Sequence, residues 1–247
     1  MNSLGRDVNF REITVQEQKK LSRIMIDNEN RKDIVYDAQC AVLQQICLEK
    51  DLDIYSLTEF DKIKLLMMLY QRNMMKHEIS FTCTECHTPN KFTINFQNAI
   101  DKLDQFKVDD VVYEYENPNW KFEFTFAYPK ISTVSKYYAD RYSTIKRIQD
   151  KKALESINTT INIDYINLFI KSLKYTDKTT GDTDEIKASD YSVEEFFDIL
   201  SVFPQDVMYS ENGVITYITQ EFISKINGVF EKHKCYQCGH MNDTTMD

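Results

Sequence analysis

Apolar residues recur at helical spacing through the first part of the chain. Val15–Asn28 carries Leu21, Ile24 and Met25 on one stripe, with Ile26 one position off it. Asn28-Glu29-Asn30-Arg31 is a polar break. Asp33–Lys50 then repeats the pattern with Ile34, Val35, Ala38, Val42, Leu43, Ile46 and Cys47 at spacings of three and four. Ser56-Leu57-Thr58-Glu59 reads as a capping box, with Ser56 as cap and Glu59 reaching back. The helix it opens runs to about Asn73. Ile63, Leu65, Leu66, Met67, Met68, Leu69 and Tyr70 surround most of its circumference, so it is expected at the centre of the core or also against a partner.

The period then shortens to two. Glu78–Thr82 and Lys91–Phe96 read as the arms of a hairpin, and Asn98–Leu103 as a short helix. Val111–Glu116 and Trp120–Tyr128 alternate around an Asn117-Pro118-Asn119 turn, with Phe122, Phe124 and Phe126 on one side and Lys121, Glu123 and Thr125 on the other. One face of this second hairpin should be buried and the other wet. The single Trp120 lies there and reads as a packed aromatic.

Helical spacing resumes at Ser132–Ile148 and Asp164–Leu173. Thr176–Lys187 is polar and reads as an exposed hairpin or loop. Ser192–Phe203 is a helix capped by Ser192 with Glu195 three residues on and ended by Pro204. Val214–Phe230 is the last helix, and the tail after Gly239 is expected to be loose. No internal repeat and no Pro/Gly/Ser linker divides the chain. The expected architecture is therefore α+β: a single domain over residues 1–247, mainly helical, with a small antiparallel sheet. Its parts are a helical section 1–76, a region of hairpins 77–128, a second helical section 129–230 and a terminal section 231–247.

Composition narrows the class. With 42% hydrophobic and 28% charged residues in 247, the chain can build a core and is not of a disordered type. Only 5 glycines leave no room for a glycine-cradled phosphate loop. The net charge of −9 counts against a surface that wraps duplex DNA. No apolar run approaches the ~18 residues that span a bilayer, so no membrane insertion is expected. The opening MNSLGRDVNFREI lacks the apolar stretch of a secretory signal, and a cytosolic protein is expected.

The cysteines carry the clearest chemistry. In a reducing compartment, two CxxC pairs point to a metal before a disulfide. Cys83 and Cys86 lie in FTCTECHTPNKFTI, and Cys235 and Cys238 in KCYQCGHMND; each reads as a zinc knuckle. Gly239 after the second pair can take a positive φ at little cost, and His87 stands at the matching place in the first. Thr88-Pro89-Asn90 supplies turn residues before the returning strand. Four thiolates fill a tetrahedral zinc site and leave no open position, which makes the zinc structural. The two pairs are separated by 148 residues, against ~15–20 in an ordinary ribbon, so the later pair must return to the first hairpin. Loop-closure entropy grows only logarithmically with length and permits this. One shared site of Cys83, Cys86, Cys235 and Cys238 links the middle of the chain to its C-terminal part. The alternatives are two sites completed by histidine, with His87 or His240 as ligand, or thiols without metal. His77, His87, His233 and His240 are all the histidines of the chain, and all lie near a knuckle. Cys40 and Cys47, seven apart on one helical face, read as small buried apolar residues.

Other chemistry is weaker. There is no GxSxG, P-loop, dinucleotide fingerprint or HExxH. Cys83-Thr84-Glu85 matches half of a deaminase-type site, but Cys86 would take the place of the catalytic water. A redox CxxC normally opens a helix, whereas both pairs here precede turn residues. Asp182, Asp184 and Glu185 read as hydrated charge. Tyr137, Tyr138 and Tyr142 lie among Lys136, Arg141, Lys146, Arg147, Lys151 and Lys152, a pattern that could stack and neutralise a nucleic acid. Asp140, Asp150 and the global charge favour an ordinary solvated helix instead. Near the knuckles, Glu78, Glu85 and Glu231 dilute Lys76, Lys91, Lys232 and Lys234.

Arg23–Gln71, followed by the FTCTEC knuckle, resembles the baseplate hub assembly proteins of T4-type contractile-tailed phages. The resemblance implies a non-enzymatic part in building the tail baseplate hub, through contacts with other phage tail and baseplate hub proteins. It places the chain in the host cytoplasm during assembly and, for members retained in the particle, in the virion tail baseplate. It brings no catalytic residues. The alternative class is a zinc-ribbon protein that binds nucleic acid, of the transcription-factor type.

Overall fold

The structure, a computed structural model, describes residues 1–73, 78–143, 158–162, 164–229 and 232–242. Helix α1 (Val15–Asp27) starts where the Glu17 amide donates to the Thr14 hydroxyl while the Glu17 carboxylate accepts from the Thr14 N–H at 2.8 Å. Leu21 points inward and Ile26 is 74% exposed, as the stripe requires. Helix α2 (Lys32–Ile46) stops short of the expected Lys50. Cys47 is already extended there, because the segment around Phe10 runs alongside: Arg11 N–H donates to Ile46 O and Leu48 N–H to Asn9 O, both at 2.9 Å.

The Ser56–Glu59 capping box does not form. Ile54–Ser56 is a 3₁₀ turn, and helix α3 (Glu59–Asn73) is capped by Thr58, whose hydroxyl accepts from Asp61 N–H at 3.3 Å and donates to the Asp61 carboxylate at 3.0 Å. This frees Glu59 to turn inward. No residue from Glu59 to Gln71 is exposed, so α3 is the central core helix. Phe60 and Met67 join the larger apolar cluster and Leu65 the smaller one, which makes α3 their common wall.

Strands β1 (Glu78–Thr82) and β2 (Pro89–Thr93) form the first hairpin, and helix α4 (Phe96–Asp104) follows with Phe96, Ala99, Ile100 and Leu103 buried. The returning arm thus begins at Pro89 rather than after Asn90, and Phe96 belongs to the helix. The main sheet is a four-stranded antiparallel meander of β3 (Val111–Glu116), β4 (Trp120–Phe126), β5 (Ile170–Asp177) and β6 (Thr183–Lys187). Phe122, Phe124 and Phe126 are buried and their alternates half-exposed, as the period-two pattern predicts.

The expected helix Asp164–Leu173 is corrected. Ile166–Phe169 is a 3₁₀ turn, and from Ile170 the chain is a strand with Leu173 opposite Phe124. The polar stretch after it is the β5–β6 hairpin.

Helix α5 (Ile131–Ser143) packs against α2, while Ile145, Lys146, Arg147, Asp150, Lys151 and Lys152 lie outside the described residues. Helix α6 (Val193–Ser201) carries the expected Ser192/Glu195 capping box. After Pro204 comes α7 (Gln205–Tyr209). The last helical run comprises α8 (Val214–Ile218), a π turn (Thr219–Ile223) and α9 (Ser224–Asn227). Phe222 of the π turn meets Phe126, Tyr128 and Phe169. Strands β7 (His233–Lys234) and β8 (Met241–Asn242) then pair, so the chain just after Gly239 is ordered by a strand and is not loose. The fold is α+β, mainly helical, with small antiparallel sheets.

Candidate metal centre

The two CxxC segments have the same backbone. In the first, Cys83 N–H donates to Thr88 O and His87 N–H to Cys83 O, both at 3.0 Å. In the second, Cys235 N–H donates to His240 O at 2.8 Å and Gly239 N–H to Cys235 O at 3.0 Å. His87 has φ 55° and Gly239 φ 77°, the left-handed step that reverses the chain after the second cysteine. The strand pairs agree as well: Phe81 faces Asn90, and His233 faces Asn242. Cys83–Asn90 (CTECHTPN) and Cys235–Asn242 (CYQCGHMN) are therefore a short repeat in a chain otherwise without one.

Gly239→Ala should lower the melting temperature by several degrees. A left-handed alanine costs about 1–2 kcal/mol, and its Cβ would lie 3.3 Å from Lys234 Cε. His87→Gly relieves the same strain and should not lower it; thermal denaturation of both variants checks the pair.

The fold brings the four cysteines together, with all four sulfurs within 4.8 Å of one another. The close pairs cross between the segments: Cys83 Sγ to Cys238 Sγ is 3.7 Å and Cys86 Sγ to Cys235 Sγ is 3.6 Å. A disulfide needs about 2.05 Å. A tetrahedral zinc with Zn–S of about 2.3 Å sets sulfurs about 3.8 Å apart, and the observed spacing fits that. Cys83 and Cys235 are buried, Cys86 is half-buried and Cys238 is exposed.

The hydrogen bonds are uneven. Backbone N–H groups of Cys86 and Glu85 and the Asn242 amide hold the Cys83 thiol below its usual range, against desolvation. Those of Cys238 and Gln237, with the Asn90 amide, hold Cys235 down to about 6. The His240 N–H pulls Cys238 the same way, but desolvation and the adjoining Cys86, Cys83 and Cys235 sulfurs push it up to about 12. Four thiols this close cannot all ionise by themselves. A divalent cation among them removes that obstacle, so the donor set suits a thiophilic metal.

The described histidines stand outside the sulfur cluster. His87 and His240 serve through their backbones, His233 stacks on Phe92 at 3.6 Å, and His77 lies outside the described residues. Among the described residues, the metal-type cluster contains the four cysteines alone. Cys40 is buried in α2 with its thiol pushed up to about 12 by desolvation, and Cys47 closes that helix. Cysteine spacing does not point to Asn90 and Asn242, each seven places after the first cysteine of its segment. The shared spacing was the available signal.

A family model described as T4 bacteriophage base plate protein matches residues 1–247, the whole chain. The chain belongs to that family. It is a phage baseplate structural protein, and its cysteine cluster ties the middle of a baseplate chain to its C-terminal part. Neither the curated proteins nor the solved structures contain a match to it. No described helix of this baseplate protein is long and apolar enough to cross a membrane. The tyrosines considered for base stacking are core residues instead. Tyr137 and Tyr142 are buried, and Tyr138 packs against Tyr36 and Tyr165. Arg141 pairs with Asp164 at 3.1 Å and lies over the Tyr137 ring.

Proposed function

We propose that this baseplate protein is a non-enzymatic component of the hub, acting as a single domain through contacts with other tail and hub proteins. In this reading Cys83, Cys86, Cys235 and Cys238 hold one structural zinc. The observation that carries it is the set of four sulfurs within 4.8 Å of one another, with the two cross-segment pairs at 3.7 and 3.6 Å; four thiolates on one zinc leave no position for a reacting water. Exposed apolar side chains supply anchors for partners: Val15 and Ile26 on α1, Val202 after α6, and Tyr236 and Met241 on the second knuckle. Assembly takes place in the host cytoplasm and the product joins the tail baseplate.

The nucleic-acid alternative gains little support. Lys91, one of its basic candidates, pairs with Glu78 at 3.0 Å. Elemental analysis of the purified chain should find one zinc, lost in both Cys86→Ser and Cys238→Ser. Co-expression with the hub proteins should yield a complex that survives nuclease. Two zincs, one lost per variant, would replace the shared centre by two sites. Binding to DNA or RNA with a steep salt dependence would favour the alternative class.

A further inference from the structure

Each knuckle contributes an asparagine to the other. The Asn90 amide donates one N–H to Thr88 O of its own loop at 2.7 Å and the other to Cys235 Sγ at 3.5 Å. Its oxygen accepts from Tyr236 N–H at 3.1 Å. Asn242 does the same in reverse. It donates to His240 O at 3.2 Å and to Cys83 Sγ at 3.7 Å, and its oxygen accepts from Thr84 N–H at 3.0 Å and from the Thr84 hydroxyl at 3.2 Å. Thr88 and His240 are both five places after the first cysteine of their loops, and Thr84 and Tyr236 both one place after it. The contacts thus obey a two-fold exchange. Both asparagines are buried, at 4% and 3% exposure, although Asn is ordinarily a surface residue.

We propose that Asn90 and Asn242 form a reciprocal lock that positions the inner cysteines, Cys235 and Cys83, and sets how tightly the centre holds its metal. The proposal rests on the zinc reading of the four sulfurs. Four thiolates around one divalent cation carry a net charge of −2, and N–H groups aimed at sulfur offset it without taking a coordination position. The amide is the side chain that fits, because it donates twice and accepts on one short stem. A carboxylate of the same shape keeps the accepting oxygen, loses both donors and adds charge beside the thiolates. The outer cysteines are held differently: Cys86 Sγ meets the Thr88 hydroxyl at 3.2 Å, and neither outer cysteine receives a cross-knuckle amide among the described residues. The lock also joins the two halves through protein atoms, so the second pair is guided to the first.

The test uses the full chain as wild type, Asn90→Asp, Asn242→Asp and the uncharged Asn90→Ser and Asn242→Ser. Each is measured for zinc stoichiometry, for zinc affinity by competition with a chromophoric chelator, and for the sulfur-to-metal charge-transfer band after cobalt substitution. Wild type should hold one zinc. Each variant should still bind one at saturation, but ~10–100-fold more weakly. Substitution at either asparagine should weaken binding alike, and the cobalt band should move to lower energy as the N–H···S bond is lost. A purely structural asparagine would leave that band in place. Wild-type affinity and an unmoved band in the variants would overturn the lock and leave the zinc standing. A wild-type chain that binds no metal would overturn the zinc reading and the lock with it. Should the Asp variants fail to fold, the Ser variants decide.

Discussion

On the proposed zinc reading, removal of the metal, or Cys235→Ser, is expected to open the β1–β2 hairpin, although that hairpin is more than 140 residues away from Cys235 in sequence. A two-stranded hairpin is marginal in water and needs something to pack against. Among the described residues, β1 and β2 pair only with each other. Phe92 also rests against the larger apolar cluster, but the sulfur cluster, the Phe92–His233 stack and the asparagine exchange, which hold the hairpin further, all depend on the second knuckle. A zinc bound there, with free metal a thousandfold above its Kd, would contribute about 4 kcal/mol to the folded state. For a domain of this size, that corresponds to a melting temperature about 8–16 °C higher than that of the stripped protein. Hydrogen exchange should show the loss locally. The amides of Phe81 and Asn90 should lose protection while those of the four-stranded meander keep it. Cys235→Ser with wild-type melting and wild-type metal content would refute the shared centre.

Lys62→Met is expected to destabilise the protein by about 3–5 kcal/mol, because it leaves a buried carboxylate without its cation. Glu59 and Lys62 are both buried, 3.5 Å apart, beneath the junction of α2 and α3. The Tyr36 hydroxyl donates to Glu59, and the Lys62 ammonium lies 3.4 Å from the centre of the Tyr36 ring. Desolvation raises the Glu59 pKa, against the pull of Lys62 and Tyr36. Met keeps the packing of the lysine stem and removes only the charge, so the folded-state pKa of Glu59 rises further above its unfolded value of about 4.3. Below that value both states are protonated and the deficit is smallest. As pH rises towards neutrality the unfolded chain ionises, the folded one resists, and the deficit grows. Denaturant titrations at pH 4 and pH 7 should therefore differ more for the variant than for wild type. Glu59→Gln combined with Lys62→Met should regain most of the loss, since Gln still accepts from Tyr36 and no charge remains buried. A Lys62→Met variant as stable as wild type at pH 7 would overturn the claim that Lys62 offsets the buried Glu59 charge.

Much of the fold follows from local pattern. The α1 stripe, the all-round apolar α3, the Phe122–Phe126 alternation and the Ser192 cap each declare themselves within a few residues. The departures occur where a distant partner decides. Nothing near Cys47 signals that Phe10 will pair with it, so the apolar pattern runs past the true end of α2. Ile170–Leu173 follows a helical run and carries helix-compatible residues, but β4 offers an unpaired edge and the segment completes it. Ser56 and Thr58 are both plausible caps, and the burial of Glu59 against Tyr36 selects the second. At the metal centre, the CxxC spacing revealed the four sulfurs because thiolate chemistry is specific to cysteine. Asparagine has no such specificity, and only the matched seven-residue offset distinguishes Asn90 and Asn242.

The distance between the knuckles has a consequence during synthesis. Cys238 follows Cys83 by 155 residues. At ribosomal rates of 5–20 residues per second, about 8–30 s separate their appearance. Throughout that interval the first pair of thiols waits as an open half-clasp on a nascent chain, exposed to oxidants and to any thiol-seeking metal. A ribosome that stalls in between leaves a product that can never close. On the proposed zinc reading, capture of the metal would mark a chain whose translation has passed the second knuckle.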